Sequence, residues 1–408
     1  MPEKSGIYGK LNVIILSFLV IQVVTLNVSI AVSSIAFGLW GGLWIIQLIA
    51  FRSEPSAAVL WNEIKWITLF LAVYAAAEIL SRVFAVFPDG ALIGLKRLLL
   101  FLVFFAMIFK IPDRKTLHFV LFLVLCFLMV VSIYELINYV ILAPELIPDK
   151  GFGETRIDYL LYPLSGGEIK LMMVTAILPM FFVKERFFVE RKYLILISSP
   201  VIIAMLLTQS RNVFLALMIC LIIFGILKNW KVLAVGIGIA VILLFLLPVE
   251  FTGRFTSIFD LEHGSNNARL TMWATGWEMF LSSPLIGVGD NHIMDVYASF
   301  KSNLSEWEHS HLHSNIFMVL ASTGILGFIG FAGFMFSIFV KQLKYYKKIN
   351  NESDKAMILG SILMFIAFNI TGIFEWNFGD HEVLTVFLFL VSVPFIIFKL
   401  TPKSKSNL

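Results

Sequence analysis

Long apolar runs separated by short polar connections set the pattern of this chain. The runs recur at about residues 11–27, 31–51, 66–87, 91–109, 116–143, 169–183, 193–209, 212–227, 232–249, 313–340, 356–374 and 383–400. An α-helix needs about 20 such residues to cross the hydrocarbon core of a bilayer. The first two runs are divided by little more than Asn27 and the small residues around Ser33. Two connections are long, roughly 144–168 and 250–312. The pattern predicts an all-α membrane protein of about 12 transmembrane helices, forming a single polytopic domain over residues 1–408. A large loop at 250–312, between predicted spans 9 and 10, carries amphipathic helix. The first run follows a basic flank and has no small-residue cleavage site behind it, so it reads as an uncleaved span.

Composition agrees with that reading. Hydrophobic residues make up 59% of the 408 and charged residues 14%, where a soluble domain carries about a quarter charged. The net charge of +4 is no nucleic-acid signal, because the lysines sit in short loops between spans. Cys126 and Cys220 fall inside apolar runs and read as packing residues, without a disulfide or metal framework.

Sidedness follows from the basic residues. With both termini inside, one set of loops holds 20 of the 31 lysines and arginines, among them Lys110, Arg114, Lys115, Lys341, Lys344 and Lys399. That set is assigned to the cytoplasm by the positive-inside rule, and the two long segments then face the other side. The exceptions, including Arg82, Arg97, Arg156, Lys170, Arg211, Arg254 and Arg269, gather on or near the outer face. Six of the seven histidines join them, as do Glu375, Asp380 and Glu382. Ionised groups beside apolar runs cost about 3 kcal/mol or more unless paired or wetted, so these need partners, a cavity or an anionic ligand.

Four segments can carry chemistry. Arg211, in TQSRNVFLAL, interrupts a nearly continuous apolar stretch at a tight turn; it is either an interfacial anchor or a fixed guanidinium that binds phosphate oxygens bidentately. Residues 265–281 have helical character, with Ser265, Asn266 or Asn267 as cap. Met272, Trp273, Gly276, Trp277 and Phe280 form one face at 3–4 spacing, and Ser283-Pro284 ends the helix. This predicts an amphipathic helix on the outer interface, anchored by Trp273 and Trp277, with Arg269 on its first turn. PLIGVGDN lacks the strand context of a nucleotide-binding loop. Next, His309, His311 and His313 alternate before a span; if the helix has already begun, His309 and His313 share a face and His311 points elsewhere. No Cys or HExxH accompanies them, so a general base near neutral pH is preferred to zinc. Last, the acidic turn FEWNFGDHEV offers Glu375 and Asp380 as partners for the outer arginines.

Together, TQSRNVFLAL, RFTSIFD, NNARLTMWATGWEMFLSSPLIGVGDN and HLHSNIFMVLASTGILG, in this order and spacing, resemble the O-antigen ligase family, polytopic glycosyltransferases that also include O-antigen polymerases. The similarity is best from about Thr208 to Glu382. His313 is followed by Ser314 before Asn315, where the family often has Asn directly after its histidine, which leaves His311 and His313 both open. The resemblance implies a GT-C-like membrane enzyme of the bacterial inner membrane. It implies transfer of a glycan from undecaprenyl diphosphate to a sugar hydroxyl of the lipid A core, on the periplasmic face, with inversion and without metal or other cofactor. Under it, His313 is the general base with His311 beside it. Arg211 and Arg269 bind the diphosphate, Arg156 and Arg254 are weaker candidates, and Trp273, Glu375 and Asp380 support the site. Membrane lipids surround the chain and no nucleic acid partner is expected. Two alternatives are an O-antigen polymerase, in which the acceptor is itself carrier-linked, and a secondary transporter of an anionic solute. Against the latter, the charges cluster on one face and no pair of broken-helix repeats is evident.

Overall fold

The computed structural model describes residues 2–51, 57–87, 91–152, 155–157, 160, 162–183, 189–228, 230–231, 233–234, 236–238, 253, 257, 260, 264–301 and 311–402. All regular structure among them is helical. Helices α1 (Pro2–Thr25), α2 (Ile30–Phe51) and α3 (Ala57–Val83) come first. A 3-10 stretch, Ala91–Phe101, runs into α4 (Leu102–Lys110), followed by α5 (Arg114–Lys150) and α6 (Pro163–Ile177, continued in 3-10 form to Phe182). Then come α7 (Arg191–Leu207), α8 (Arg211–Leu227), α9 (Gly264–Ser282), α10 (Ile293–Phe300), α11 (Asn315–Lys348), α12 (Glu352–Phe374) and α13 (His381–Leu400).

Eight of the described helices are long and apolar enough to cross a membrane. The chain is therefore a multi-pass membrane protein. The expected number of about twelve is larger because three of the apolar runs form no such helix among the described residues and a fourth lies mostly outside them. Residues 91–110 are split between 3-10 and α geometry, and α7 and α8 have 17 residues each. The run at 232–249 lies mostly outside the described residues.

Local chemistry sets several boundaries. Asp113 accepts from the Thr116 amide at 2.8 Å and Asn351 from the Asp354 amide at 2.8 Å, capping α5 and α12. Pro163 opens α6, where a missing N–H costs nothing. Helices α12 and α13 are buried over most of their length and form the centre, while α1 and α2 expose apolar side chains such as Ile35 and Ile49 outward. Helix α11 packs along α3, and a Cβ on Gly330 would stand 2.4 Å from the Tyr74 amide nitrogen, so only glycine allows this approach.

At one end of the bundle, Lys341 donates to Glu63 at 2.7 Å and Arg114 to Asp354 at 2.6 Å, while Lys399 donates to the Ile108 and Ile111 carbonyls at 2.6 Å each. A different set of charges lies where the 285–291 turn meets α3. Arg97 bridges Glu78 at 3.0 Å and Asp290 at 2.8 Å, and Arg82 pairs with both acids as well. Two cations and two anions balance, so this buried cluster is neutral overall and ties the turn to α3.

The glycine-rich PLIGVGDN turn has a structural task. Helix α11 breaks at Gly324, whose φ of 63° and ψ of −165° no side-chain-bearing residue adopts without strain. An intact helix would bond the Ile325 amide to the Ala321 carbonyl and the Leu326 amide to the Ser322 carbonyl. Here the two amides donate instead to the Pro284 and Leu285 carbonyls, at 2.9 and 3.3 Å. The released Ala321 and Ser322 carbonyls accept from the Val288 and Gly289 amides, at 2.9 and 3.0 Å. Every backbone group freed by the break is satisfied by the turn, as lipid surroundings demand. The turn that follows α9 is thereby stapled to the helix that follows His313.

Candidate active site

Helix α9 presents Ser265, Arg269 and Trp273 at four-residue intervals, hence on one face. Each touches a different part of the site. The Ser265 hydroxyl accepts a short hydrogen bond from Nη2 of Arg211, at the start of α8. Arg269 donates from Nε to the Phe374 carbonyl at 3.1 Å. Trp273 stacks on Phe317 with ring centroids 5.3 Å apart and donates to the His313 carbonyl at 3.4 Å. The predicted helix at 265–281 is therefore present, but Trp273 is no membrane anchor: it packs inward, whereas Trp277 is 46% exposed. The buried face runs through Met272, Thr275, Gly276 and Met279.

At the far end of that face, His311 and His313 converge on one carboxylate. His313 Nδ1 lies 2.9 Å from Glu375 Oε2, and His311 Nε2 lies 3.2 Å from Glu375 Oε1. The condition under which His311 would point elsewhere, a helix already begun at the histidines, is not met. The helix begins only at Asn315, and His313 has a φ of 47°, which turns the chain and brings the rings to a centroid distance of 4.3 Å. Glu375 also accepts from the Trp376 amide at 3.1 Å.

The hydrogen bonds assign the tautomers. The His313 amide donates to His311 Nδ1 at 3.2 Å, so a neutral His311 carries its proton on Nε2, facing Glu375. A carboxylate can only accept, so His313 carries its proton on Nδ1, and its basic nitrogen is Nε2. Burial pushes the Glu375 carboxyl up, but the hydrogen bond from His313 and the charges of His313 and His311 outweigh it and hold the group below its ordinary value. Glu375 is thus an ionised orienting partner for two imidazoles.

Of the two principal arginines, Arg269 stands beside this unit and Arg211 meets the first turn of α9. Burial lowers the Arg269 guanidinium from its ordinary value and Glu375 opposes that shift; it stays a cation. Among the described residues its one hydrogen bond is from Nε, which leaves the Nη groups to meet an anion. Arg211 donates from Nη1 to the Ser257 carbonyl at 3.1 Å, and Asn266 donates to the same carbonyl at 3.0 Å, so α8 and the first turn of α9 share one anchor. Arg156 lies in a segment held to the α7–α8 turn: the Ile157 amide donates to the Leu207 carbonyl at 3.1 Å, and Gln209 donates to the Thr155 carbonyl at 2.9 Å. Arg254 and His309 fall outside the described residues.

Among the described residues, the carboxylates of the acidic turn make these hydrogen bonds. Glu375 bonds the histidines, and Asp380 caps α13 by accepting from the Glu382 and Val383 amides at 2.9 and 3.0 Å, while its other oxygen accepts from Ser165 at 2.6 Å. Nearby donors already fixed by the backbone satisfy these carboxylates at less entropic cost than a long arginine would. Sequence reasoning missed Glu168, Asn212, Asn315 and Asn377. Asn212 donates to Glu168 at 2.9 Å, and Asn315 donates to Asn377 at 2.6 Å while accepting from the Phe378 amide. A polar residue inside an apolar run, as in PLSGGEIK, was the only signal for Glu168.

A cavity of about 190 Å³ opens beside the histidines, between the first turns of α6 and the 375–383 turn. His311, His313 and Glu375 also offer donor atoms within 4.8 Å of one another, close enough to hold a divalent cation. The same atoms make the two histidine–carboxylate hydrogen bonds, so an ion would have to displace both protons.

The family model for O-antigen ligase matches residues 194–332, about a third of the chain. That stretch begins in α7 and ends in α11, taking in Arg211, Arg269, Trp273, His311 and His313. No curated protein matches the chain.

Proposed function

We propose that the chain is a membrane glycosyltransferase that moves a glycan from undecaprenyl diphosphate to a sugar hydroxyl of a lipid A core, a reading that the match of residues 194–332 to the O-antigen ligase family model supports. The observation that carries this reading is the His313–Glu375 hydrogen bond, 2.9 Å long, which directs the basic Nε2 of His313 away from the carboxylate and toward an acceptor. The acceptor oxygen attacks the anomeric carbon and loses its proton to that nitrogen. The bond from the anomeric carbon to the diphosphate oxygen breaks, and its electron pair leaves with the carrier. Glu375 stabilises the imidazolium that forms.

Negative charge grows on the leaving diphosphate, so fixed guanidinium groups stabilise the transition state more than the ground state. Arg211 and Arg269 supply them, joined through α9, with Arg156 beside the same turn and Arg254 as a further candidate. Attack from the side opposite the leaving group inverts the anomeric centre, and the arginines take the place of a divalent ion. The site faces the periplasm of a bacterial inner membrane, with both termini in the cytoplasm.

The test is a transfer assay with purified, reconstituted protein, an undecaprenyl-diphosphate glycan and lipid A–core, run with and without EDTA. Glycan on lipid A–core in the presence of EDTA is the expected result. Lengthening of the glycan on its carrier would mean a polymerase, and transport of an anionic solute without consumption of carrier would refute the transferase reading.

A further inference from the structure

The charges around the His313–Glu375 unit are segregated. The arginines lie on α8 and α9, whereas the cavity beside the histidines is lined by Glu168, Glu375 and Asp380 and by no lysine or arginine among the described residues. A diphosphate is repelled from such a wall and attracted to the arginines. The cavity, at about 190 Å³, is smaller than the ~300–1,000 Å³ that drug-sized ligands occupy, so it suits one ring and not an extended chain. Its lining combines hydrogen-bonding groups with the aromatic rings of Tyr162 and Trp376, the mixture that a hydroxylated ring with apolar faces requires.

Glu168 is the informative member. Its side chain is 2% exposed, and Oε1 is fixed by Asn212, the residue after Arg211. Oε2 meets no donor in hydrogen-bond geometry among the described residues, although Asn377 and Thr371 stand near it. Leaving a buried carboxyl oxygen so poorly satisfied is costly. A sugar hydroxyl is a donor of the right kind to relieve that cost. Asp380, by contrast, has both oxygens engaged.

Resting on the transferase reading, we infer that this cavity is the acceptor subsite, that it takes a single uncharged, hydroxyl-bearing sugar ring, and that Glu168 accepts a hydrogen bond from a ring hydroxyl beside the one that His313 deprotonates. The Glu375 and Asp380 carboxylates on its wall exclude acidic sugars. The charge pattern thereby assigns diphosphate to the arginines and the acceptor ring to the carboxyl groups.

Binding can be read without turnover. Protein in nanodiscs is titrated with methyl glucoside and methyl glucuronide by saturation-transfer-difference NMR, for wild type and Glu168→Gln. Wild type is expected to bind the glucoside and reject the glucuronide. Glu168→Gln, which keeps an oxygen for Asn212, is expected to bind the glucoside about tenfold more weakly or worse, with carrier diphosphate affinity and melting temperature unchanged. Equal glucoside affinity in the two proteins overturns the assignment. So does a loss shared by diphosphate and glucoside, or a fall in melting temperature, because Glu168 would then be a structural bridge between α6 and α8. Lipid A–core transfer by wild type that binds no glucoside overturns the subsite while leaving the reaction standing.

Discussion

Glu375 holds His313 and His311 together, accepting from one imidazole on each carboxylate oxygen, at 2.9 and 3.2 Å. The two contacts are not equivalent. His311 is also locked by the His313 amide through its other ring nitrogen, whereas His313 is bound to the carboxylate through Nδ1 and has Nε2 as its base. His311 is therefore a buttress and His313 the proton acceptor. Replacing His311 with Asn should lower kcat far less than replacing His313, while both variants keep donor affinity. Equal losses measured in the reconstituted assay would contradict this division.

The depressed Glu375 carboxyl has a consequence for stability. Its folded value lies below the unfolded one, so it contributes stability that is complete above the ordinary carboxylate value of about 4.3 and is lost as pH falls through the lower folded value. The difference in melting temperature between wild type and Glu375→Gln should therefore be present at pH 7 and shrink at about pH 4 and below. A difference independent of pH would mean that the carboxylate charge is not what holds the histidines. Glu375→Gln should also lower kcat with little change in KM for either substrate.

Arg211→Lys and Arg269→Lys keep the charge but lose the planar fork. Removing one transition-state donor of this kind costs about 10²–10³ in kcat, and losses of that order are expected in the transfer assay. Wild-type turnover in either variant would make that arginine a mere tie, for Arg211 between α8 and Ser265, for Arg269 between α9 and the Phe374 carbonyl.

Gly324→Ala should be severely destabilising, in thermal melts and in expression. The Cβ would sit 2.5 Å from the Leu285 carbonyl carbon, in a backbone conformation that alanine resists. Since this break anchors the 284–289 turn, activity should fall with stability. A well-folded, active variant would show that the reciprocal exchange of backbone bonds is dispensable.

Much of the fold was legible in the sequence because membranes write plainly: the apolar runs located most of the long helices. The order of Arg211, Arg269, Trp273 and His313 along the chain likewise pointed to one site. What the sequence did not show depends on backbone turns and on distant partners. The left-handed conformation of His313 brings His311 beside it, which helical spacing does not. Asp290, about 200 residues from its partner arginines, gave no sign of the charge cluster it completes. Glu168 was hidden because a lone acid beside Lys170 reads as a helix end, although Lys170 in fact pairs with Glu135 at 2.9 Å.

The central claim is that His313 removes the acceptor proton, and single-turnover transfer by His313→Ala tests it most directly. With donor bound to saturation, the rate should fall by about 10²–10⁴, the range of general-base catalysis, while donor affinity and melting temperature stay at wild-type values. A single-turnover rate equal to wild type would contradict the account.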